Sequence, residues 1–330
     1  MRLVSVVTGG AGFIGSHIVD ALVARGHEVR ILDDLSGGHK VNIERHLEND
    51  RVTLVPSDIR GLEGNDAVFK GVDYVFHLAG IGDIVPSIER PIDYMDVNVQ
   101  GTIRVLEAAR AHRVRKVVYA ASSSCYGLAA TPTTEDHPIS PEYPYALSKY
   151  LGEQTLFHWA KVYQLPANSI RIFNAYGPRV RTTGAYGAVF GVFLRQKLAG
   201  SPLTVVGDGT QRRDFVHVRD VAEAFCLAAE TPISGEVWNC GANAPKAVNE
   251  LVQLIGGEVV YIPMRPGEPD CTWADTSKIQ RELGWQPAVG FREGVAEMVR
   301  DINHWAEAPL WTPESIATAT ASWFRALGER

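Results

Sequence analysis

Cysteine is scarce in this 330-residue chain, and its few cysteines form no recognisable pattern. The four are Cys125, Cys226, Cys240 and Cys271. No two of them make a Cys-x-x-Cys pair, and no histidine accompanies them at the spacing of a metal site. We therefore predict no metal ligands and a reducing location, the cytoplasm.

Positive charge and long apolar runs are also scarce. The formal net charge is −6, whereas a nucleic-acid-binding protein would carry a basic surface. No polybasic cluster is present to hold a membrane surface. No window approaches the ~20 apolar residues of a membrane span, and the N-terminus lacks the layout of a signal peptide. We therefore predict no nucleic-acid partner and no membrane partner.

Short apolar runs alternate with helical patterns through the first half of the chain. The predicted strands are 3–8, 28–33, 52–56, 74–78, 116–121 and 168–173. The predicted helices include 15–25, 94–112 and 144–163. Strands separated by helices indicate βαβ units, so the fold class is predicted as α/β with a doubly wound parallel sheet.

The rhythm changes after residue 178 into longer loops and shorter elements. A smaller lobe is therefore predicted above the carboxyl ends of the strands, where such sheets bind ligands. Residues 213–218 and 220–229 are predicted as one more strand and helix that return to the first domain. The predicted domains are interleaved: 1–176 with about 212–240, and about 177–211 with 241–330.

A Gly-x-x-Gly-x-x-Gly motif at Gly9, Gly12 and Gly15 directly follows the first predicted strand. Glycine permits a tight turn and a close approach of backbone to a diphosphate, and the next helix offers free N–H groups. Asp33 ends the second predicted strand, where a carboxylate can accept hydrogen bonds from both ribose hydroxyls of NAD. The motif therefore predicts a Rossmann-type domain that binds NAD rather than NADP.

Tyr145 and Lys149 lie four residues apart on a predicted helix and so share one face. A tyrosine is a weak base at neutral pH, but a lysine ammonium and the positive nicotinamide of NAD⁺ would favour its phenolate. Ser122, Ser123 and Ser124 follow the strand 116–121. A hydroxyl there can bond a substrate oxygen; a capped turn is the structural alternative.

These motifs resemble the extended short-chain dehydrogenases/reductases, and among them the NAD-dependent sugar-nucleotide epimerases. The resemblance runs almost from end to end and includes the segments 77–80, 98–102, 173–179, 207–209, 213–215 and 265–268. It implies Ser122, Tyr145 and Lys149 as catalytic residues and a tightly held NAD that is regenerated in each cycle. It also implies a homodimer that forms through the helices 98–110 and 145–163.

The resemblance further implies the residues of two binding sites. The cofactor-binding residues are Gly9, Gly12, Phe13, Ile14, Gly15, Asp33, Asp34, Ser36, Gly37, Asp58, Ile59, Leu78, Ala79, Gly80, Asn98, Ala120, Tyr145 and Lys149. The substrate-binding residues are Ser122, Ser123, Ser124, Asn174, Arg181, Val189, Thr204, Val206, Arg213, Arg265 and Glu268. Arg213 and Arg265 suit the diphosphate of UDP, because guanidinium groups neutralise it through charge-assisted hydrogen bonds.

The reaction that the resemblance implies is C4 epimerisation of a UDP-hexose through a 4-keto intermediate. Related 4,6-dehydratases carry Asp-Glu where Ser123 and Ser124 stand, and serine cannot supply that acid/base chemistry. Dehydration is therefore disfavoured. A UDP-sugar decarboxylase and a non-catalytic NAD-binding protein are remoter alternatives.

Arg181 bears on the choice of sugar. It lies two residues after Gly-Pro-Arg, where an arginine holds the sugar carboxylate in relatives that epimerise UDP-glucuronate. This favours UDP-glucuronate and UDP-galacturonate as the substrate pair. Asn174, in contrast, is typical of the neutral-hexose epimerases, so UDP-glucose and UDP-galactose, or their N-acetyl analogues, form the alternative.

Overall fold

The computed structural model describes residues 2–182 and 189–328. Their strands are β1 (Val4–Thr8), β2 (Glu28–Asp33), β3 (Val52–Pro56), β4 (Tyr74–His77), β5 (Lys116–Ser122), β6 (Ala167–Ile172), β7 (Asn174–Tyr176), β8 (Leu203–Val206), β9 (Arg212–Arg213), β10 (Phe215–His217), β11 (Val237–Cys240), β12 (Lys246–Ala247) and β13 (Val259–Ile262). Their α-helices are α1 (Phe13–Ala24), α2 (Ile84–Glu89), α3 (Pro91–Met95), α4 (Gly101–Ala111), α5 (Pro144–Tyr163), α6 (Val189–Leu198), α7 (Val218–Glu230), α8 (Val248–Ile255), α9 (Ser277–Leu283), α10 (Phe291–Arg300), α11 (Pro313–Ala319) and α12 (Ala321–Leu327).

Seven of these strands form one parallel sheet in the order β11-β6-β5-β4-β1-β2-β3. The strand order reverses between β1 and β4, which are hydrogen-bonded neighbours. β5 is buried along its whole length, and strands covered on both faces stand out in a sequence as apolar runs. The predicted α/β fold with a doubly wound parallel sheet is confirmed, and the crevice at the reversal point is where such sheets bind ligands.

Helices cover both faces of this sheet. α1 and α7 pack together on one face, where Leu22, Phe225 and Trp238 are buried. α4 and α5 cover the other face with Leu106 and Leu156. A leucine or phenylalanine taken fully out of water contributes about 1.5–3 kcal/mol, so the two layers fix the carboxyl edge of the sheet firmly.

A further apolar cluster lies among α6, α8, α10 and the strands β8 and β13. It buries Phe193, Leu203, Leu251, Met298 and Trp305. β8 and β13 pair in parallel, away from the main sheet. The predicted division into two domains stays a prediction, and residues 1, 183–188 and 329–330 of its ranges lie outside the described part of the chain. Among the described residues, no helix is long and apolar enough to cross a membrane.

The prediction of a single strand at 213–218 is wrong. These residues form β9 and β10, which pair outside the main sheet with β12 and β7. The physical reason lies in Asp214, a buried residue between the two strands. Its carboxylate accepts hydrogen bonds from the N–H groups of Asn243 (3.2 Å) and Ala274 (2.9 Å) and so holds two other segments, one after β11 and one before α9. The seventh strand of the main sheet is β11, while α7 does pack against the first-domain helix α1.

Three buried histidines make stability depend on pH. Burial lowers the pKa of His77 to about 3 and that of His17 and His217 to about 4. In the unfolded chain a histidine binds its proton near pH 6.5. The stability that these neutral rings contribute is therefore complete above about pH 6.5 and is lost as the pH falls towards 4, by about 1.4 kcal/mol per pH unit for each histidine.

We expect His77→Gln to reduce the pH dependence of the free energy of unfolding between pH 6.5 and 4. His77 is wholly buried and bonds Thr8 Oγ1 (2.7 Å) and Thr102 Oγ1 (2.9 Å), so the variant loses absolute stability as well. Denaturant titrations at several pH values separate the loss of absolute stability from the change in pH dependence. Only the slope of the unfolding free energy against pH reports the binding of a proton. The slope should fall by about 1.4 kcal/mol per pH unit. His158→Gln, at an exposed position, is the control, and an unchanged slope in His77→Gln would contradict the assignment.

Candidate active site

The glycine motif makes a tight turn between β1 and α1. Gly9 has φ +68°, and a methyl group there would lie 2.7 Å from the backbone N of Ala79. A methyl group at Gly15 would lie 2.1 Å from the carbonyl oxygen of Gly9, so helix and loop touch backbone to backbone. α1 begins after Gly12, which offers no side-chain cap, and its first turn holds no acidic residue. The N–H groups of this first turn can therefore bind an anion.

Asp33 lies at the end of β2, beside this turn, and is only 6% exposed. Its carboxylate accepts hydrogen bonds from the N–H groups of Ala11 (2.9 Å) and Leu35 (2.8 Å). Burial raises its pKa, and these two donors act in the opposite direction. A methyl group at Gly38 would lie 2.8 Å from both carboxylate oxygens. Gly38, which sequence reasoning missed in favour of Gly37, thus keeps one side of Asp33 open to a ligand.

Most of the other predicted cofactor ligands lie at the carboxyl edge of the sheet or just beyond it. Phe13 and Ile14 open α1, Asp58 and Ile59 follow β3, Leu78, Ala79 and Gly80 follow β4, Ala120 lies near the end of β5, and Asp34, Ser36 and Gly37 follow Asp33. Asp58 caps a short turn and binds Arg60. The cradle of glycines, the uncapped helix and the carboxylate of Asp33 together fit NAD.

Asn98, a predicted cofactor-binding residue, also holds two parts of the structure together. It lies in the π-helical turn Asp96–Gln100, which interrupts the predicted helix 94–112. Its side-chain amide accepts from Ile81 N (2.8 Å) and donates to Ile81 O (3.0 Å) and to Ser148 Oγ (2.9 Å). Asn98 therefore joins the loop after β4 to α5, the helix that carries Tyr145.

Ser122, Tyr145 and Lys149 meet at the end of β5. Ser122 is the last residue of that strand, and Tyr145 and Lys149 lie one turn apart at the start of α5. The phenol of Tyr145 lies near Ser122. Burial raises the pKa of Tyr145, while Ser122 lowers it. Burial also lowers the pKa of Lys149 to about 7, and its Nζ lies 4.4 Å from the centre of the Tyr119 ring.

Asp83 adds a negative charge near this group that sequence reasoning missed. Its charge raises the pKa of Tyr145 further. Asp83 has φ +80°, which is rare for a residue other than glycine, and Arg181 Nη2 donates to its Oδ2 at 3.1 Å. No sequence motif marks Asp83, because its position depends on the irregular loop between β4 and α2.

A cavity of about 380 Å³ lies between Ser123 and Ser124 on one side and the apolar cluster of α6, α8 and β8 on the other. Nine predicted substrate ligands line it: Ser123, Ser124, Asn174, Val189, Thr204, Val206, Arg213, Arg265 and Glu268. Described lining residues that the sequence did not predict include Asp83, Tyr143, Gln211, Thr272 and Trp323. Ser122 lies next to the cavity, where its Oγ donates to Ser124 Oγ at 3.0 Å. Arg181 is not among the lining residues and binds Asp83 at the border.

Part of the cavity lining carries positive charge. Arg213 Nη2 donates to Glu268 Oε1 at 2.7 Å, and Arg265 Nη1 lies 3.8 Å from Glu268 Oε2. Both arginines are largely buried, so their charges are poorly screened by water. Two guanidinium groups against one carboxylate leave this wall with a formal charge of +1, which suits a diphosphate.

The fold and these residues define an enzyme that uses a dinucleotide. Residues 5–241 match the NAD dependent epimerase/dehydratase family, so the chain belongs to that family. The UDP-glucose 4-epimerase of Mycolicibacterium smegmatis is 39% identical over 305 residues, which cover 89% of this chain and 97% of that protein.

Solved structures agree with this assignment. UDP-glucuronic acid 4-epimerase from Bacillus cereus, in complex with UDP-glucuronic acid and NAD, has a TM-score of 0.85 at 30% identity, over 92% of this chain and 99% of that one. UDP-N-acetylglucosamine 4-epimerase from Methanobrevibacter ruminantium M1, in complex with UDP-N-acetylmuramic acid, has a TM-score of 0.85 at 32% identity, over 93% and 99%. The predictions of an NAD-dependent UDP-sugar 4-epimerase and of NAD as its cofactor are confirmed. The UDP-sugars named for these proteins differ, so the comparisons do not identify the sugar in this protein's substrate.

Proposed function

We propose that the protein interconverts the C4 epimers of a neutral UDP-hexose, UDP-glucose and UDP-galactose. The observation that carries this proposal is the cavity next to Ser122, which Arg213 and Arg265 help to line. Ser122, and Tyr145 which lies close to it, have the groups to move a proton on a sugar hydroxyl. The two arginines have the charge to hold a diphosphate.

The roles of the residues follow from their chemistry. Tyr145 accepts the proton of the C4 hydroxyl, and Ser122 bonds the same oxygen. Lys149, when charged, favours the phenolate of Tyr145. Bound NAD, held by the glycine loop and Asp33, supplies the acceptor and donor of the C4 hydride. Arg213 and Arg265 keep the UDP in place while the 4-keto sugar turns over, after which Tyr145 returns the proton.

The charge near Tyr145 favours a neutral sugar. Asp83 lines the cavity and lies close enough to Tyr145 to raise its pKa. The carboxylate of a uronate would bring a second negative charge into the same cavity, and like charges disfavour the phenolate that the reaction needs. A C6 hydroxymethyl group carries no such penalty.

UDP-glucuronate is the second candidate, and the position of Arg181 favours it. Its guanidinium lies 3.1 Å from the carboxylate of Asp83, at the border of the cavity, and a guanidinium can hold a carboxylate with two hydrogen bonds. With this substrate the 4-keto intermediate is a β-keto acid that can lose CO₂. Arg181 would then also have to keep the carboxylate out of the conformation that decarboxylates.

A substrate panel tests the proposal. The purified protein is incubated separately with UDP-glucose, UDP-glucuronate and UDP-N-acetylglucosamine, and the sugar protons are followed by NMR. We expect UDP-glucose to reach equilibrium with UDP-galactose without loss of CO₂ from any sample. Conversion of UDP-glucuronate alone would overturn the choice of a neutral sugar, and absence of any C4 epimer would overturn the proposed reaction.

Arg181→Ala separates the two candidates further. For a neutral sugar, we expect the variant to lower kcat at pH 7 a few fold and to move the rising limb of the pH profile to higher pH. The cause is the uncompensated charge of Asp83, which raises the pKa of Tyr145.

Asp83→Asn is the matched second change, because it removes that charge without removing the side chain. In the double variant with Arg181→Ala it should restore both the rate and the pH profile. If Arg181 instead holds a uronate, kcat/KM for UDP-glucuronate falls at least 100-fold and Asp83→Asn does not restore it. The predicted ligand sets, the homodimer and the cytoplasmic location stay predictions.

A further inference from the structure

Helix α12 is fixed to α2 at the mouth of the cavity. Trp323 and Leu327 of α12 are buried together with Val85 of α2. Ser322 Oγ of α12 donates to Glu89 Oε1 of α2 at 2.8 Å. The contact is thus both apolar and polar, and it holds α12 in one orientation.

The same helix supports the loop that carries Arg265 and Glu268. The indole N–H of Trp323 donates to the carbonyl oxygen of Pro266 at 2.8 Å. The guanidinium carbon of Arg265 lies 5.6 Å from the centre of a Trp323 ring, within the range of a cation–π contact. Leu327 closes the far side of the loop, since a methyl group at Gly267 would lie 3.5 Å from its Cδ1.

Trp323 also faces the cavity itself, where it is a lining residue with Arg265 and Glu268. Its ring centre lies 6.5 Å from that of Tyr143, whose phenol lies near Ser124. Trp323 therefore connects the positive wall of the cavity to residues beside Ser122. The structure therefore gives this tryptophan, which is not among the predicted site residues, a place in the site.

We propose that Trp323 is a positioning residue for UDP binding: it fixes Arg265 through the cation–π contact and fixes the loop through Pro266. This inference rests on the proposed function. The indole holds the guanidinium in the orientation in which it meets the diphosphate. Without the indole, the side chain of Arg265 would sample other rotamers. The side chain would then have to be ordered each time UDP binds, which weakens binding.

The test uses UDP as the probe, measured by calorimetry on the purified NAD-loaded protein, with steady-state kinetics on the sugar that the panel identifies. We expect Trp323→Ala to raise the Kd of UDP and the KM about tenfold while kcat stays within about twofold. Trp323→Phe keeps an aromatic face but loses the bond to Pro266, and we expect an intermediate effect. Phe324→Ala is the matched control, because Phe324 lies next to it on α12 and is 37% exposed.

A double-mutant cycle with Arg265→Ala distinguishes positioning from general loss of structure. If Trp323 acts through Arg265, Trp323→Ala has little further effect on UDP affinity in the Arg265→Ala background. Additive losses would overturn the proposal. An unchanged Kd in Trp323→Ala, or an equal loss in Phe324→Ala, would also overturn it. If the wild-type protein itself fails to bind UDP, it is the proposed function that fails.

Discussion

Replacing Tyr145 with phenylalanine should lower kcat about 10³-fold and leave the fold and the bound NAD intact. The substitution removes one oxygen atom, the phenol oxygen that lies near Ser122. The ring keeps its stacking on Tyr143, at 6.4 Å between centres, and its edge contact with Tyr94 at 6.3 Å. A positioned proton acceptor contributes about 10²–10⁴-fold, so a loss of this size identifies Tyr145 as the base.

The measurement pairs turnover with NAD content, which is read from the nucleotide released on denaturation. Tyr163→Phe is the matched control, because Tyr163 ends the same helix and is 46% exposed. It should change neither quantity. A Tyr145→Phe protein that turns over within tenfold of the wild type would mean that another group takes the proton. A protein that loses its NAD as well would mean that the phenol also helps to bind the cofactor, the further role that the resemblance implies for Tyr145.

The sequence predicted the main sheet well because its signals are local. β2 and β3 coincide with the predicted 28–33 and 52–56. The predicted strands that became β1, β4 and β5 differ by one residue at one end, and β6 is shifted by one residue at both ends. Runs of apolar side chains mark strands such as β5, and the turn after β1 places Gly9 at φ +68°, a conformation that favours glycine. Ser122, Tyr145 and Lys149 were also accessible, since a strand end and a four-residue helical spacing bring them together.

The remainder of the site depends on contacts that no local pattern records. Gly38 matters because its missing side chain faces Asp33, and Gly37 next to it has no such neighbour. Asp83 gains its influence from an unusual backbone conformation. Trp323 reaches the cavity only because α12 crosses α2. Each of these features arises from tertiary packing, which sequence spacing does not encode.

The spacing of Arg181 predicts a contact with a sugar carboxylate, which stays a prediction; in the described structure Arg181 Nη2 donates to Asp83 Oδ2 at 3.1 Å. Spacing fixes where a residue attaches to the fold but not which charge its long side chain meets. Arg213 and Arg265 differ in this respect, because Glu268 and Trp323 hold them at the cavity wall. A role can therefore be assigned to an arginine more firmly where several neighbouring groups orient its guanidinium.

Gly15→Ala should cost about 3 kcal/mol of stability and weaken NAD binding about 100-fold. The added methyl group would lie 2.1 Å from the carbonyl oxygen of Gly9 and 2.9 Å from Cα of Gly10. Both neighbours are backbone atoms, so no rotamer change relieves the contact, and α1 must move about 1 Å away from β1. The N–H groups at the start of α1 move with it, away from the position of a diphosphate.

Two further alanine variants show how the losses of stability and of NAD depend on the closeness of the backbone contact. A methyl group at Gly12 would lie 3.1 Å from Gly9 O, a tight contact that a small shift can relieve, so Gly12→Ala should lose less stability and less NAD than Gly15→Ala. Gly61 has no atom within 4 Å of such a methyl group, and Gly61→Ala should resemble the wild type. The free energy of unfolding and the NAD retained after purification should both rank Gly61→Ala above Gly12→Ala above Gly15→Ala. Equal NAD retention in all three variants would mean that the close backbone contact in this turn does not control cofactor binding.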